Sequence, residues 1–228
     1  MENSPEQGVV VVDAASTNGI FVNGQKVERR ALRDRDVLQL GPETVLHFMF
    51  APACDMNMRV RQYEHSISDD LTSVHNRRYL NDSLEHEMAV ASRHGQALCV
   101  MLLDIDHFKS INDEYGHEAG DTVLKQLAKR IADALRNEDV FARLDGDKFA
   151  IVTRGLQLDS VSEAAERFRT LIARRTFRWQ EHDVECNISL GGSLLTPEDS
   201  LDASVLLKRA NENRYAAKDR GRNCIVIT

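Results

Sequence analysis

Ala97-Leu98-Cys99-Val100-Met101-Leu102-Leu103-Asp104-Ile105-Asp106 is an unbroken apolar run that ends in acids, and its reading decides the fold. The run is far too short to span a bilayer. It reads instead as a strand with carboxylates at its end. Upstream, Tyr79, Leu80, Leu84, Met88 and Ala91 keep helical spacing and stop at Gly95. Downstream, Val123, Leu124, Leu127, Ile131 and Leu135 make an amphipathic helix. Short apolar runs at 140–142 and 149–152 flank a polar turn and read as a hairpin. A helix over 161–173, a strand region over 184–195, a helix over 201–218 and a strand over 224–227 complete the pattern. This alternation predicts an α/β or α+β domain, with a mainly parallel or mixed central sheet and helices packed on it. Ligands of such sheets sit at the strand carboxyl ends.

The first fifty residues carry no helical periodicity. Runs at 9–12, 20–22, 37–40 and 45–50 read as short strands, and Asn23-Gly24 is a hairpin turn signal. The segment 51–68 reads as a linker, helical in one reading. The expected organisation is a β fragment over 1–50, that linker, and an α/β domain over 69–228.

Composition is that of a globular protein, 42% hydrophobic and 29% charged. A formal net charge of -7 disfavours general nucleic-acid binding, which depends on Lys and Arg neutralising phosphates. Cys54, Cys99, Cys186 and Cys224 have neither CxxC nor zinc-finger spacing, so free thiols are expected. No signal peptide or membrane span is visible in the sequence, and a cytoplasmic location is expected.

Carboxylates at a strand end suit a hard Mg²⁺ ion carrying substrate phosphates. A solvated strand end is the plain alternative. Asn112 and Asp121 offer the amide and carboxylate groups that fit a guanine edge, and helix capping is their ordinary role.

The segment Asp104-Ile105-Asp106-His107-Phe108-Lys109, with Ile111-Asn112-Asp113, Gly116-His117 and Gly120-Asp121 after it, resembles the GGDEF family, the bacterial diguanylate cyclases. Asp69-Asp70-Leu71-Thr72 and Asn76-Arg77-Arg78 resemble the opening motif of that domain. Ala216-Ala217-Lys218 with Gly221-Arg222-Asn223 resembles its end. The resemblance implies a central mixed sheet flanked by helices. It also implies synthesis of cyclic di-GMP from two GTP by a dimer of domains. It assigns Mg²⁺ to Asp104, Asp147 and the Ile105 carbonyl, guanine to Asn112 and Asp121, and phosphates to Lys109, Lys218 and Arg222.

The family signature, Gly-Gly-Asp/Glu-Glu-Phe, stands here as Asp145-Gly146-Asp147-Lys148-Phe149. Asp145 puts bulk and negative charge where glycine allows close approach to a nucleotide. Lys148 reverses the charge of an acid expected to assist metal binding or proton removal. It is positioned to pair with Asp147 or to grip a phosphate. Weak or absent cyclase activity follows. Arg136 and Asp139, with Arg167, match the family's inhibitory product site. An arginine fits guanine O6 and N7, and Asp139 fits the Watson–Crick edge. Three readings follow: a cyclic di-GMP receptor with a degenerate catalytic site, an active cyclase under product inhibition, and an interaction module with vestigial nucleotide sites.

Residues 9–50 resemble the later half of a forkhead-associated (FHA) domain, a phosphothreonine-peptide binder. Asn18 is the one residue the resemblance assigns to peptide binding. The segments that supply other phosphate contacts are not in the sequence, so either the chain is truncated or the fragment serves as a packing or dimerisation element.

Overall fold

The computed structural model describes residues 2–4, 8–14, 16–41, 44–49, 64–196, 199 and 202–228. Most of the expected linker lies outside the described residues; 64–67 are helical. Two compact units divide the chain, Met1–Gln62 and Tyr63–Thr228.

The first unit is all β. Strands β1 (Glu2–Ser4), β2 (Gly8–Val12) and β5 (Arg29–Ala31) form one sheet in the order β1-β2-β5. Strands β3 (Ile20–Val22), β4 (Gln25–Val27), β6 (Val37–Leu40) and β7 (Thr44–His47) form a second in the order β4-β3-β6-β7. Asn23 and Gly24, both at positive φ, make the two-residue turn between β3 and β4. The Asn23 amide donates to Asp36 at 2.7 Å and accepts from the Val37 N–H at 2.8 Å. Val11, Val22, Leu32 and Leu38 are the buried core.

In the second unit the apolar run is β9 (Leu98–Ile105), buried at every position. The sheet runs β15 (Ile225–Ile227), β14 (Ile188–Leu194), β9, β11 (Lys148–Arg154), β10 (Val140–Asp145) and β8 (His75–Asn76), in that order. Of the two sheet types the sequence left open, the mixed one holds. β9 is antiparallel to both β11 and β14. β10 pairs antiparallel with β11. Only the outer pairs are parallel: β8 with β10, and β14 with β15.

Side chains alternate along β9, so its two faces build two cores. Cys99, Met101, Leu103 and Ile105 face α3 (His117–Ala132) and α4 (Leu158–Ala173), whose Val123, Leu127, Val161 and Phe168 complete that core. Leu98, Val100 and Leu102 face α1 (Arg77–His94) and α5 (Ala203–Asp219), through Leu80, Leu84, Leu206 and Ala210. Helix α1 starts where the Asn76 side chain accepts from the Tyr79 N–H, and ends at left-handed Gly95. A short helix α2 (Phe108–Tyr115) and a hairpin, β12 (Phe177–Trp179) with β13 (His182–Val184), were not evident from periodicity. Cys99 and Cys186 are buried free thiols, and burial pushes both pKa values up to about 12. Among the described residues, no helix is long and apolar enough to cross a membrane.

Candidate functional site

Asp104 is the last residue of β9 on the face that α1 and α5 cover, and its side chain is 3% exposed. Burying a carboxylate requires partners, and α5 supplies two cations. The Arg214 guanidinium donates to Asp104 Oδ2, and Lys218 Nζ donates to Oδ1 at 2.6 Å. Arg214 is itself buried, at 4% exposure. Its Nε and Nη2 donate to Asn211 Oδ1 at 3.2 and 2.8 Å, which fixes the guanidinium in place. Gly191 makes this reach possible. A Cβ there would stand 1.9 Å from the Arg214 backbone nitrogen, so only glycine lets α5 lie this close to β14. Asp106 does a different job. It accepts from the Ser189 hydroxyl at 2.7 Å and from the Asn223 N–H at 2.9 Å, which ties the C-terminal turn to the sheet.

The β10–β11 hairpin carries Asp145-Gly146-Asp147-Lys148-Phe149. Lys148 lies opposite Asp104 in the β9–β11 register, yet its ammonium donates to Asp145 Oδ1 at 3.0 Å. Of the two expectations for Lys148, pairing with Asp147 is corrected: its side chain pairs with that of Asp145. Arg77, at the start of α1, grips the other Asp145 oxygen at 2.7 Å. The Lys148 hydrogen bond, with the Lys148 and Arg77 charges, outweighs partial burial and lowers the Asp145 pKa. Arg143 closes the turn from beneath, donating to the Gly146 carbonyl through Nε at 2.9 Å and Nη2 at 2.7 Å. Its Nη1 reaches Asp69 at 3.0 Å. Phe149 is wholly buried and stacks on Phe141, with ring centroids 5.5 Å apart.

Asp147 is half-buried near Asp104. Burial, then the Asp104 carboxylate, raise its pKa. These two acids are the expected Mg²⁺ ligands, with the Ile105 carbonyl. The donor set does not suit a divalent cation as it stands. Both Asp104 oxygens already meet cationic side chains. The signature's fourth position supplies an ammonium in place of a carboxylate. Among the described residues, no group of three or more His, Cys, Asp or Glu is placed to hold a metal ion.

Asn112 and Asp121 come from consecutive helices. Asn112 sits in α2, and a Cβ on Gly120 would stand 1.9 Å from its Oδ1. The bare Gly120 thus seats the Asn112 amide over α3, one residue before Asp121. Asp121 is exposed inside α3; Gly116 stands at that helix's N-cap, so the capping alternative for Asp121 does not hold. Lys109 is exposed on α2, and Arg222 is exposed at φ 66° in the turn after α5. Lys218, expected on phosphate, lies against Asp104.

Arg136, Asp139 and Arg167 line one cavity of about 380 Å³, with Thr153, Ser160 and Phe168. The Arg136 N–H donates to Asp139 Oδ2 at 3.1 Å. Asp139 Oδ1 and Thr153 Oγ1 are buried and meet no hydrogen-bond partner among the described residues. Burial raises the Asp139 pKa, against the opposing hydrogen bond and charge of Arg136. Arg167 donates to the Ala134 carbonyl at 3.3 Å, and its guanidinium lies 5.4 Å from the centre of the Phe168 ring.

Arg214, Arg77 and Arg143 were not singled out in the sequence. Arg214 carried a readable signal: it falls on the same helical stripe as Leu206, Ala210 and Ala217, which are all buried. A charge on the apolar face of a helix needs a buried counter-charge. The Asp145 contact of Arg77 and the Asp69 contact of Arg143 carried none, because those partners are distant in sequence.

Comparison with known proteins agrees with this fold. The family model described as diguanylate cyclase, GGDEF domain, matches residues 66–224, and that of the FHA domain matches residues 1–41. The probable diguanylate cyclase DgcT of Escherichia coli is 32% identical over 160 residues, covering 70% of this chain and 35% of that protein. The response regulator PleD of Caulobacter vibrioides is 35% identical over 164 residues, covering 72% of this chain and 36% of that protein. The chain thus spans little more than a third of the length of these relatives. The coiled coil and GGDEF domain of DgcB from Caulobacter crescentus, solved in complex with c-di-GMP, superposes with a TM-score of 0.69 at 27% identity. That match covers 77% of this chain and 95% of that one. The chain belongs to the diguanylate cyclase family of GGDEF-domain proteins.

Proposed function

We propose that the chain is a cyclic di-GMP signalling protein. Its GGDEF domain binds the dinucleotide through Arg136, Asp139 and Arg167 and acts as a receptor, with cyclase activity weak or absent. The convergence of these three residues on one cavity carries the reading. The volume falls in the range of small-molecule sites. Two guanidinium groups suit guanine O6 and N7 or a phosphate. The free oxygen of Asp139 suits a guanine N–H. The solved DgcB relative is described in complex with c-di-GMP.

The altered hairpin argues against synthesis. Catalysis of phosphoryl transfer rests on positioning and on neutralising charge at the transferred group. Here the cations nearest Asp104 neutralise the protein's own carboxylate. Lys109, Asn112 and Asp121 retain the groups for holding GTP, and this retention favours the second reading, an active cyclase under product inhibition. The FHA-like unit supplies a surface for a protein partner, with Asn18 exposed on it. On that second reading two chains would pair, as the family's chemistry uses two domains.

Calorimetry of the full chain with cyclic di-GMP tests the receptor. Saturable heat is expected, and its absence sinks the reading in favour of an interaction module. Incubation with GTP and Mg²⁺, followed by chromatography of the products, separates receptor from cyclase: steady accumulation of cyclic di-GMP would support the cyclase.

A further inference from the structure

We propose that Arg214 is a built-in counter-ion that takes the place of a divalent cation at the Asp104–Asp147 carboxylate pair. It thereby makes this end of the sheet metal-independent. The inference does not rest on the product-site reading. Four observations carry it. Asp104 is almost fully buried at the strand end, so its charge must be balanced from within the fold. Arg214, equally buried, meets one oxygen of that carboxylate. Asn211 holds the rest of the guanidinium, so the cation cannot swing away without losing its hydrogen bonds and baring a buried charge. Gly191 brings the helix backbone against the sheet, which sets the guanidinium at the depth of the carboxylate and not at the surface.

A divalent cation at the same pair needs a free carboxylate edge at about 2.0–2.6 Å. A planar, permanently charged guanidinium competes for that edge at any pH the fold survives. Lys218 on the second oxygen is partly exposed and, among the described residues, makes no other side-chain hydrogen bond, so it yields more readily. Arg214 is therefore the residue that decides whether the pair accepts a metal.

The test is a titration of the full chain with Mn²⁺ alone, followed by electron paramagnetic resonance of the free ion. The native chain is expected to show no saturable site that depends on Asp104. Arg214→Leu is expected to gain one, and Arg214→Leu with Asp104→Asn to lose it again. In metal-free buffer Arg214→Leu should melt on the order of 10 °C lower, because a buried carboxylate loses its anchored partner. Mn²⁺ should restore part of that loss in the variant and leave the native melting temperature unchanged. Should Arg214→Leu fail to fold, Arg214→Gln keeps a hydrogen bond to Asn211, removes the charge and carries the same expectation. The proposal is overturned if the native chain binds Mn²⁺ in a way that Asp104→Asn abolishes. A folded Arg214 variant that gains no site overturns it equally.

Discussion

Replacing Arg136 by alanine separates ligand recognition from stability at the proposed dinucleotide site. The Arg136 side chain is exposed and its backbone N–H, which the substitution keeps, makes the bond to Asp139. Thermal stability should therefore stay within about 0.5 kcal/mol of the native chain. Binding should not. A bidentate arginine contact to a guanine edge is worth about 1–3 kcal/mol. That corresponds to a ~5- to ~150-fold rise in Kd at 25 °C. Calorimetry with cyclic di-GMP at fixed salt reads this directly, with a thermal melt of the same sample beside it. Arg174→Ala is the control: Arg174 is an exposed arginine near the C-terminal end of α4, outside the cavity. It removes the same net charge without removing the contact. If Arg136→Ala and Arg174→Ala weaken binding equally, the attraction is general electrostatics and the recognition argument fails. If Arg136→Ala leaves Kd unchanged, the cavity is not the site.

Restoring the signature with Asp145→Gly and Lys148→Glu should not by itself raise cyclic di-GMP production from GTP and Mg²⁺; production should rise when Arg214→Leu is added. A clear gain in the double variant would show that the hairpin alone disables the site. Gly191→Ala should destabilise the second unit by about 1–3 kcal/mol, because α5 must move out by roughly 1.5 Å to clear the new methyl group. An unchanged urea midpoint would mean that the helix is not held as described. Asp69 gives a pH test. Burial alone would raise its pKa, but the Thr72 hydroxyl and the Arg143 guanidinium lower it overall. Its stabilising contribution is present above the unfolded carboxyl pKa and disappears as pH falls through the lower folded value. Asp69→Asn should therefore lower the melting temperature at neutral pH and flatten the acid limb below about pH 4; parallel acid limbs in the two proteins would contradict this.

The elements with strong local signals were legible in the sequence. Helix α1 announced its end, through Gly95, because capping is a local interaction. β9 was evident because burial on both faces leaves no polar position in the run before Asp104. Helix α2 was not, because one buried residue in eight, Ile111, gives no stripe to detect. The strand directions were hidden as well, since register and pairing depend on residues far apart in the chain. The same boundary runs through the candidate site. Asp104, Asp147 and the Arg136–Asp139 pair could be named from motifs. That Lys148 would turn to Asp145, and that Arg214 would meet Asp104 from 110 positions away, required the fold.

The buried thiol of Cys99 gives the central strand a chemical clock. Alkylating reagents attack thiolate, and a thiol with a pKa of about 12 inside the sheet offers almost none to a reagent that cannot reach it. Labelling of Cys99 therefore waits for β9 to leave its neighbours β11 and β14, so its rate counts openings of the sheet. A ligand that clamps the hairpin or the α5 contact would slow that clock without touching the sulfur. Mass spectrometry of one modified peptide would then report binding energy from the middle of the core.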